Sequence, residues 1–129
     1  MSIPKEIVEK IKAQARAEMP LEACGLLSGK EDRIEAIYPM VNIDQSPEHF
    51  SLDPAEQLAV IKQARTRRQQ ILAVYHSHPA TPARMSDEDI RLAWDPNVLF
   101  IIFSVAEAKL KAFRVVENQS REETLEITA

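Results

Sequence analysis

The chain has 129 residues, the size of one ordinary domain, and its 45% hydrophobic and 28% charged residues are typical of a soluble globular protein. Its net charge of -4 argues against nucleic acid as an obligate partner. The single cysteine, Cys24, cannot form an internal disulfide, and no stretch is apolar enough for a signal peptide or a membrane span, so we expect a cytoplasmic protein.

The N-terminal part predicts a helix followed by a β-hairpin. Residues 4–18 form the helix, because Pro4 suits a first helical position, isoleucine recurs at every fourth residue and Pro20 ends the segment. Residues 21–29 are a short apolar strand that ends at a glycine turn. Residues 33–38 are then its hairpin partner.

An irregular loop at residues 39–53 separates the hairpin from a second helix. The loop contains His49, which we expect at the surface or in loop packing. Asp53 caps the helix and Pro54 takes its first position. The predicted inner face of this helix consists of Leu58, Ile61 and Ala64. The end of this helix is basic, with Lys62, Arg65, Arg67 and Arg68. Such a cluster is more typical of a solvated helix terminus than of a docking patch.

The second half predicts strands at residues 71–75 and 98–103, with a short helix at residues 86–93 between them. The second of these strands is apolar on both faces and is therefore expected in the middle of a covered sheet. Two more polar strands, at residues 109–116 and 122–128, are expected nearer an edge. This order predicts an α/β fold, a single domain over residues 1–129 with a mixed central β-sheet flanked by helices.

The stretch at residues 75–89 has the pattern of a metal site. His76 and His78 follow the predicted strand two residues apart, so both imidazoles lie on one face and can converge on one ion. Asp89 is the natural third ligand, since catalytic zinc takes three protein ligands and leaves a fourth position open. Ser86 and Asp89 also fit a helix capping pattern, which is compatible with a ligand role for Asp89.

A catalytic zinc site also needs a base, and Glu22 is the candidate by position, at the junction of the first helix and a strand. Spacing alone favours a solvated acid in a connector at this position.

The motifs together resemble the JAMM (MPN+) zinc metalloproteases, the Mov34/PAD-1-like family. The resemblance rests on Glu22, on the pattern H-S-H-x7-S-x-x-D that begins at His76, and on the blocks at residues 20–29 and 50–54. It spans residues 4–116. The fold that it implies is the JAMM/MPN domain, which has a cytidine-deaminase-like architecture.

The resemblance implies a role for each site residue. His76, His78 and Asp89 would bind one Zn²⁺ per chain, Glu22 would deprotonate the attacking water, and Ser86 would steady the oxyanion. This role of Ser86 conflicts with helix capping through the same side chain, since one hydroxyl hydrogen serves one acceptor at a time, and the resemblance favours the catalytic role.

The resemblance also implies a substrate. Members of the family hydrolyse amide or isopeptide bonds at the C-terminal tails of ubiquitin-like proteins, and small prokaryotic members resemble peptidases that act on sulfur-carrier proteins of the ThiS/MoaD type. We expect such a protein as the partner, with no nucleic acid and no membrane. The sequence leaves the oligomeric state open, with a homodimer as one alternative.

Three other functions are weighed against this one. A non-catalytic MPN-type interaction module that binds zinc would share the fold, but such modules lose ligands that this chain keeps. A zinc nucleoside deaminase needs further cysteines, and Cys24 stands alone. A thiol enzyme would use Cys24, but a cysteine in an apolar run is more often a buried hydrophobic residue.

Overall fold

The computed structural model describes residues 1–93 and 95–129 and contains an eight-stranded sheet with three helices. The elements in chain order are β1 (Ser2–Pro4), α1 (Lys5–Ala17), β2 (Cys24–Lys30), β3 (Arg33–Met40), α2 (Pro54–Thr66), β4 (Gln70–His78), α3 (Asp87–Leu92), β5 (Leu99–Ser104), β6 (Lys109–Val116), β7 (Gln119–Glu123) and β8 (Glu126–Thr128). The strands lie in the order β7-β6-β5-β4-β2-β3-β1-β8. Among the described helices, none is long and apolar enough to cross a bilayer.

The middle of the sheet is mixed, as predicted. β4 pairs with β5 in parallel and with β2 in antiparallel orientation. Ile101 and Ile102 are both fully buried, so β5 is covered on its two faces. The expected α/β class with a central mixed sheet is confirmed, and it places the strand that carries the histidines among paired neighbours.

The helix α1 packs against one face of the sheet. Its buried residues Ile7, Val8 and Ile11 share a core with Tyr75 and Phe103 of β4 and β5. The sheet curls around this core, because β7 and β8 lie at opposite ends of the strand order yet only two residues separate them along the chain. Such a link spans at most roughly 11 Å, so the two edges must approach each other.

The prediction of a single strand at residues 122–128 is wrong, because two strands, β7 and β8, occupy this region. A two-residue turn at Glu117 and Asn118, both with positive φ, starts β7 at Gln119 and pairs it with β6. The chain then leaves that edge, and β8 pairs with β1. Asparagine tolerates positive φ in such tight hairpins, and this signal was missed.

The short strand β1 was not predicted, and its Ile3 is fully buried. The predicted inner face of α2 needs correction. Leu58 of α2 is 52% exposed, since the buried face of this helix is formed by Val60 and Ala64, one turn apart. The start of α2 is as expected, because the Asp53 side chain accepts a hydrogen bond from the Glu56 amide.

Candidate metal centre

The strand β4 continues through both histidines, three residues beyond its predicted end. Side chains alternate along it, so Tyr75 points towards α1 while His76 and His78 point to the opposite face. His76 is 1% and His78 5% exposed. The neighbouring strands hold the backbone of these residues, with His76 opposite Cys24 of β2 and Ile102 of β5.

The helix α3 brings Asp89 to the two imidazoles. Nε2 of His76 lies 3.1 Å from Nε2 of His78, and Oδ2 of Asp89 lies 3.3 and 3.1 Å from these nitrogens. Ligand atoms about 2.0–2.1 Å from a tetrahedral metal lie roughly 3.3 Å from one another. The three atoms therefore occupy three corners of a tetrahedron of the size that zinc requires.

The chemistry of these donor atoms also fits a cation. Nδ1 of His78 lies 2.9 Å from the Pro82 carbonyl oxygen, an acceptor to which it donates. The lone pair of His78 is then on Nε2, which faces His76 and Asp89. Two imidazole nitrogens and a carboxylate oxygen are a donor set that zinc accepts, and a positive ion would relieve the crowding of their lone pairs.

The pKa values of the metal-free cluster reflect burial and mutual hydrogen bonding. Burial lowers the pKa of His76, and the Asp89 carboxylate only partly opposes this. Burial also acts to lower the pKa of His78, but bonds to Asp89 and to Pro82 outweigh it and raise that pKa. Burial acts to raise the pKa of Asp89, but the imidazoles, when protonated at Nε2, and the Ser86 amide donate hydrogen bonds to it and hold that pKa well below its usual range. Asp89 is therefore ionised at neutral pH, as a ligand must be.

Glu22 is the buried carboxylate next to this cluster. Its side chain is only 3% exposed, and its Oε1 has no hydrogen-bond partner among the described residues. Burial raises the pKa of Glu22 to about 8; the charges of Asp89 and Glu88 also raise it, while that of His78 lowers it. A buried carboxyl group with these charged neighbours and a raised pKa is a candidate for proton transfer.

The backbone that carries Glu22 is fixed to β4 through Ser77, the residue between the histidines. The Ala23 amide donates to Oγ of Ser77 at 2.8 Å, and the Ser77 amide donates to the Ala23 carbonyl at 2.9 Å. These bonds connect positions 54 residues apart in sequence. They explain how an acid far upstream reaches the histidines.

Ser86 is both the cap of α3 and a neighbour of the cluster. Its Oγ accepts from the Asp89 amide at 3.0 Å, and its own amide donates to Oδ2 of Asp89 at 3.0 Å. Capping thus uses a lone pair of the hydroxyl and leaves its hydrogen free to donate. The expected conflict between capping and oxyanion binding is wrong, because the two roles use different parts of the group.

A cavity of about 480 Å³ opens beside the cluster, with His76 and Asp89 in its wall. Its lining is mainly apolar and includes Leu26, Phe50, Leu52, Ile61, Val74 and Phe100. The ring of Phe50 stacks on the ring of His76, with centroids 4.7 Å apart. Sequence reasoning gave Phe50 no role of its own, since it lies in an irregular loop without periodicity.

The remaining residues singled out from the sequence lie outside the cluster. His49 is 45% exposed, and its Nδ1 lies 2.9 Å from Oδ2 of Asp44 in the same loop. The basic residues at the end of α2 are exposed, and the guanidinium of Arg67 lies over the Tyr38 ring at 5.5 Å. These contacts are local ones.

Cys24 is fully buried opposite His76, and burial raises its thiol pKa to about 12. We therefore expect Cys24→Ser to retain at least about half of the wild-type activity, since a thiol with this pKa is not a nucleophile at neutral pH. The new hydroxyl can donate to the Met40 carbonyl, which the thiol contacts at 3.8 Å. Steady-state kinetics would check this, with Cys24→Ala as the control for packing. Loss of activity in both variants, with the fold preserved, would support the hypothesis that the protein is a thiol enzyme.

Residues 4–116 match the model of the family described as prokaryotic homologues of the JAB domain. A CysO-cysteine peptidase from Mycobacterium tuberculosis is 35% identical over 130 residues, which cover 97% of this chain and 89% of that protein. A probable TtuB-protein conjugate cleaving protease from Thermus thermophilus is 33% identical over 119 residues, which cover 91% of this chain and 77% of that protein.

Solved structures share the fold. The solution structure of a protein from Desulfitobacterium hafniense superposes with a TM-score of 0.90 at 44% identity and covers 98% of this chain and 92% of its own. A JAB1/MPN domain protein from Archaeoglobus fulgidus superposes with a TM-score of 0.70 at 22% identity, covering 99% and 97% of the two chains. The second likeness concerns the fold alone.

Proposed function

The chain belongs to the prokaryotic JAB-domain family and is a hydrolase, and we propose that it is a zinc-dependent metallopeptidase of the JAMM type. Its substrate is an amide bond at the C-terminal tail of a ubiquitin-like or sulfur-carrier protein. The observation that carries the proposal is the convergence of His76, His78 and Asp89 beside a buried Glu22, whose Oε1 has no hydrogen-bond partner in the described part of the chain. The family and the fold expected from the motifs are confirmed.

His76, His78 and Asp89 are proposed to hold one Zn²⁺ per chain. Bound there, zinc supplies Lewis acidity, which acidifies a water and polarises a carbonyl group. The protein contributes the fixed geometry. The sheet holds both histidines, the capped helix holds Asp89, and the Pro82 carbonyl selects the tautomer of His78.

Glu22 is proposed as the general base and then the general acid. Its carboxylate takes a proton from the attacking water and gives it to the leaving amine nitrogen as the C–N bond breaks. A pKa of about 8 suits both steps, because a group with this pKa can accept a proton and can also release one near neutral pH. Oε1 has no hydrogen-bond partner among residues 1–93 and 95–129, which leaves this oxygen available for the exchange.

Ser86 is proposed to donate its hydroxyl hydrogen to the carbonyl oxygen as negative charge develops there. One such donor contributes on the order of 3 kcal/mol to transition-state stabilisation. The cap geometry supports this role, since the bond from the Asp89 amide fixes Oγ without using its hydrogen.

The substrate class rests on the cavity and on the relatives. One relative is named for acting on CysO-cysteine and the other for cleaving TtuB-protein conjugates. A cavity of about 480 Å³ takes a few side chains of an extended tail and excludes a folded domain. We therefore propose a sulfur-carrier protein of the ThiS/MoaD type as partner. A cytoplasmic location stays a prediction.

The test is hydrolysis of C-terminal adducts of a sulfur-carrier protein. We expect the zinc-loaded protein to remove an amide-linked group, and we expect a chelator to stop the reaction. Cysteine, a short peptide and a protein lysine are compared as leaving groups. Intact-mass spectrometry measures the loss of the adduct, and the same adduct placed on the carrier's N-terminus is the control. Zinc binding without hydrolysis of any C-terminal adduct would favour the non-catalytic interaction module.

A further inference from the structure

Asn42, the second residue after β3, is only 3% exposed although it lies in an irregular loop. Its amide nitrogen donates to the carbonyl of Glu22 at 3.1 Å and to that of His49 at 3.0 Å, with the Ser46 carbonyl at 3.4 Å. The Glu22 amide in turn donates to the Ser46 carbonyl at 2.9 Å. The loop therefore holds the backbone of Glu22 at both its amide and its carbonyl.

The same side chain also fixes the other end of the loop. Oδ1 of Asn42 accepts from the Asp44 amide at 3.1 Å and from the Ser51 amide at 3.3 Å. Ser51 follows Phe50, whose ring stacks on His76. Asn42 thus connects Glu22 with Ser51, the residue after the phenylalanine that packs on His76.

We infer that Asn42 is a positioning residue, which holds Glu22 and the Phe50 segment in register with the cluster of His76, His78 and Asp89. The inference rests on the proposed function of Glu22. Asn42 acts through backbone atoms, because its donors and acceptors are engaged by the loop and by Glu22. Ser77 of β4 holds the next residue, Ala23, so the loop and β4 both fix the backbone at Glu22 and Ala23.

A buried asparagine can also serve only to fold its loop, and Asp44 provides the matched control for that role. The Asp44 carboxylate joins His49 to Ser51 through hydrogen bonds of 2.9 and 2.7 Å, but it has no described bond to Glu22. If loop stability alone matters, removing either side chain should have similar effects. If positioning of Glu22 matters, only Asn42 should affect turnover strongly.

The test compares Asn42→Ala and Asn42→Asp with Asp44→Ala. A displaced base costs on the order of 10- to 100-fold in kcat, and we expect this loss in both Asn42 variants, with KM changed less than about threefold and zinc content unchanged. Asp44→Ala should keep kcat within about threefold of the wild type. Hydrogen exchange of the Glu22 amide should quicken in the Asn42 variants and not in Asp44→Ala, a readout that does not depend on activity. Asn42→Asp keeps the acceptor oxygen, so it tests the donors if Asn42→Ala does not fold.

A double-mutant cycle separates positioning from other effects. In a Glu22→Gln background, Asn42→Ala should cause little further loss of kcat, because the group that it positions is already inactive. An equal loss in both backgrounds, or unchanged exchange of the Glu22 amide, would overturn the inference while leaving the proposed function intact. An inactive wild type would instead overturn the proposed function, and the exchange measurement would still test whether Asn42 holds Glu22.

Discussion

Replacing Glu22 with glutamine should leave zinc bound and lower kcat by roughly 10²- to 10⁴-fold, the usual contribution of a general acid or base. Glutamine keeps the size and the hydrogen-bonding oxygen of the side chain but cannot accept and return a proton. Turnover of the carrier adduct, with zinc per chain measured on the same samples, checks the prediction. The matched control is Glu48→Gln, which neutralises an exposed carboxylate of the nearby loop and should leave kcat unchanged.

The Glu22→Gln variant can also be assessed without substrate, through the stability of the metal-free protein. Below pH 4.5 the Glu22 carboxyl is protonated in both the folded and the unfolded chain. Between pH 4.5 and about 8 the unfolded chain ionises it while burial keeps the folded one neutral, so the free energy of unfolding falls as pH rises. Urea titrations should therefore show the stability of Glu22→Gln relative to the wild type increasing from pH 5 to pH 8. If the difference in the free energy of unfolding between the two proteins does not change with pH, and the variant retains turnover, Glu22 is not the general base.

Local pattern predicted the elements of the site well. The alternation of β4, the capping sequence at Ser86 and the apolar run of β5 each act over a few residues, and each is found near its expected place. The convergence of His76, His78 and Asp89 also follows from a short segment in which a strand, a turn and a helix are consecutive. Physical reasoning on such a segment needs little knowledge of the rest of the fold.

Local sequence patterns did not predict which segments distant in the chain pair with each other. Glu22 comes close to the histidines because β2 pairs with β4 and Ser77 bonds to Ala23, and neither contact leaves a periodic signal. The family resemblance supplied Glu22, whereas spacing alone favoured a solvated acid. The positions of β7 and β8 at opposite edges depend on the curl of the whole sheet in the same way.

Loop residues were the hardest to assign. Asn42 and Phe50 lie in a segment without helix or strand periodicity, so their burial could not be read from neighbouring residues. A polar residue in a loop is usually solvated, and the side chain of Asn42 is buried because four backbone groups of its folded loop and the Glu22 carbonyl surround it. Buried polar residues of this kind are identified from the folded structure, by asking which side chains satisfy the backbone N–H and C=O groups of a loop.

Asp89→Asn should weaken zinc binding by at least about 100-fold, because even loss of a group that only supports a ligand commonly costs 10- to 100-fold. Asparagine retains an oxygen that can accept from the Ser86 amide, so the cap of α3 should persist while the anionic ligand is lost. Metal analysis of the purified proteins should show about one zinc per wild-type chain and far less in the variant. Asp87→Asn is the matched control, since it removes an exposed charge from the same helical turn.

This pair of variants separates ligation from helix stability. Zinc that binds only the folded protein raises its thermal midpoint in proportion to RT ln(1 + [Zn]/Kd). At the same zinc concentration, the increase should therefore be similar in the wild type and in Asp87→Asn and much smaller in Asp89→Asn. Equal loss of zinc in both variants would assign the effect to the helix terminus, and a folded wild type that binds no zinc would refute the ligand set itself. The metal-free wild type should stay folded, because the core of α1 with β4 and β5 contains no ligand and is formed on the opposite face of the sheet.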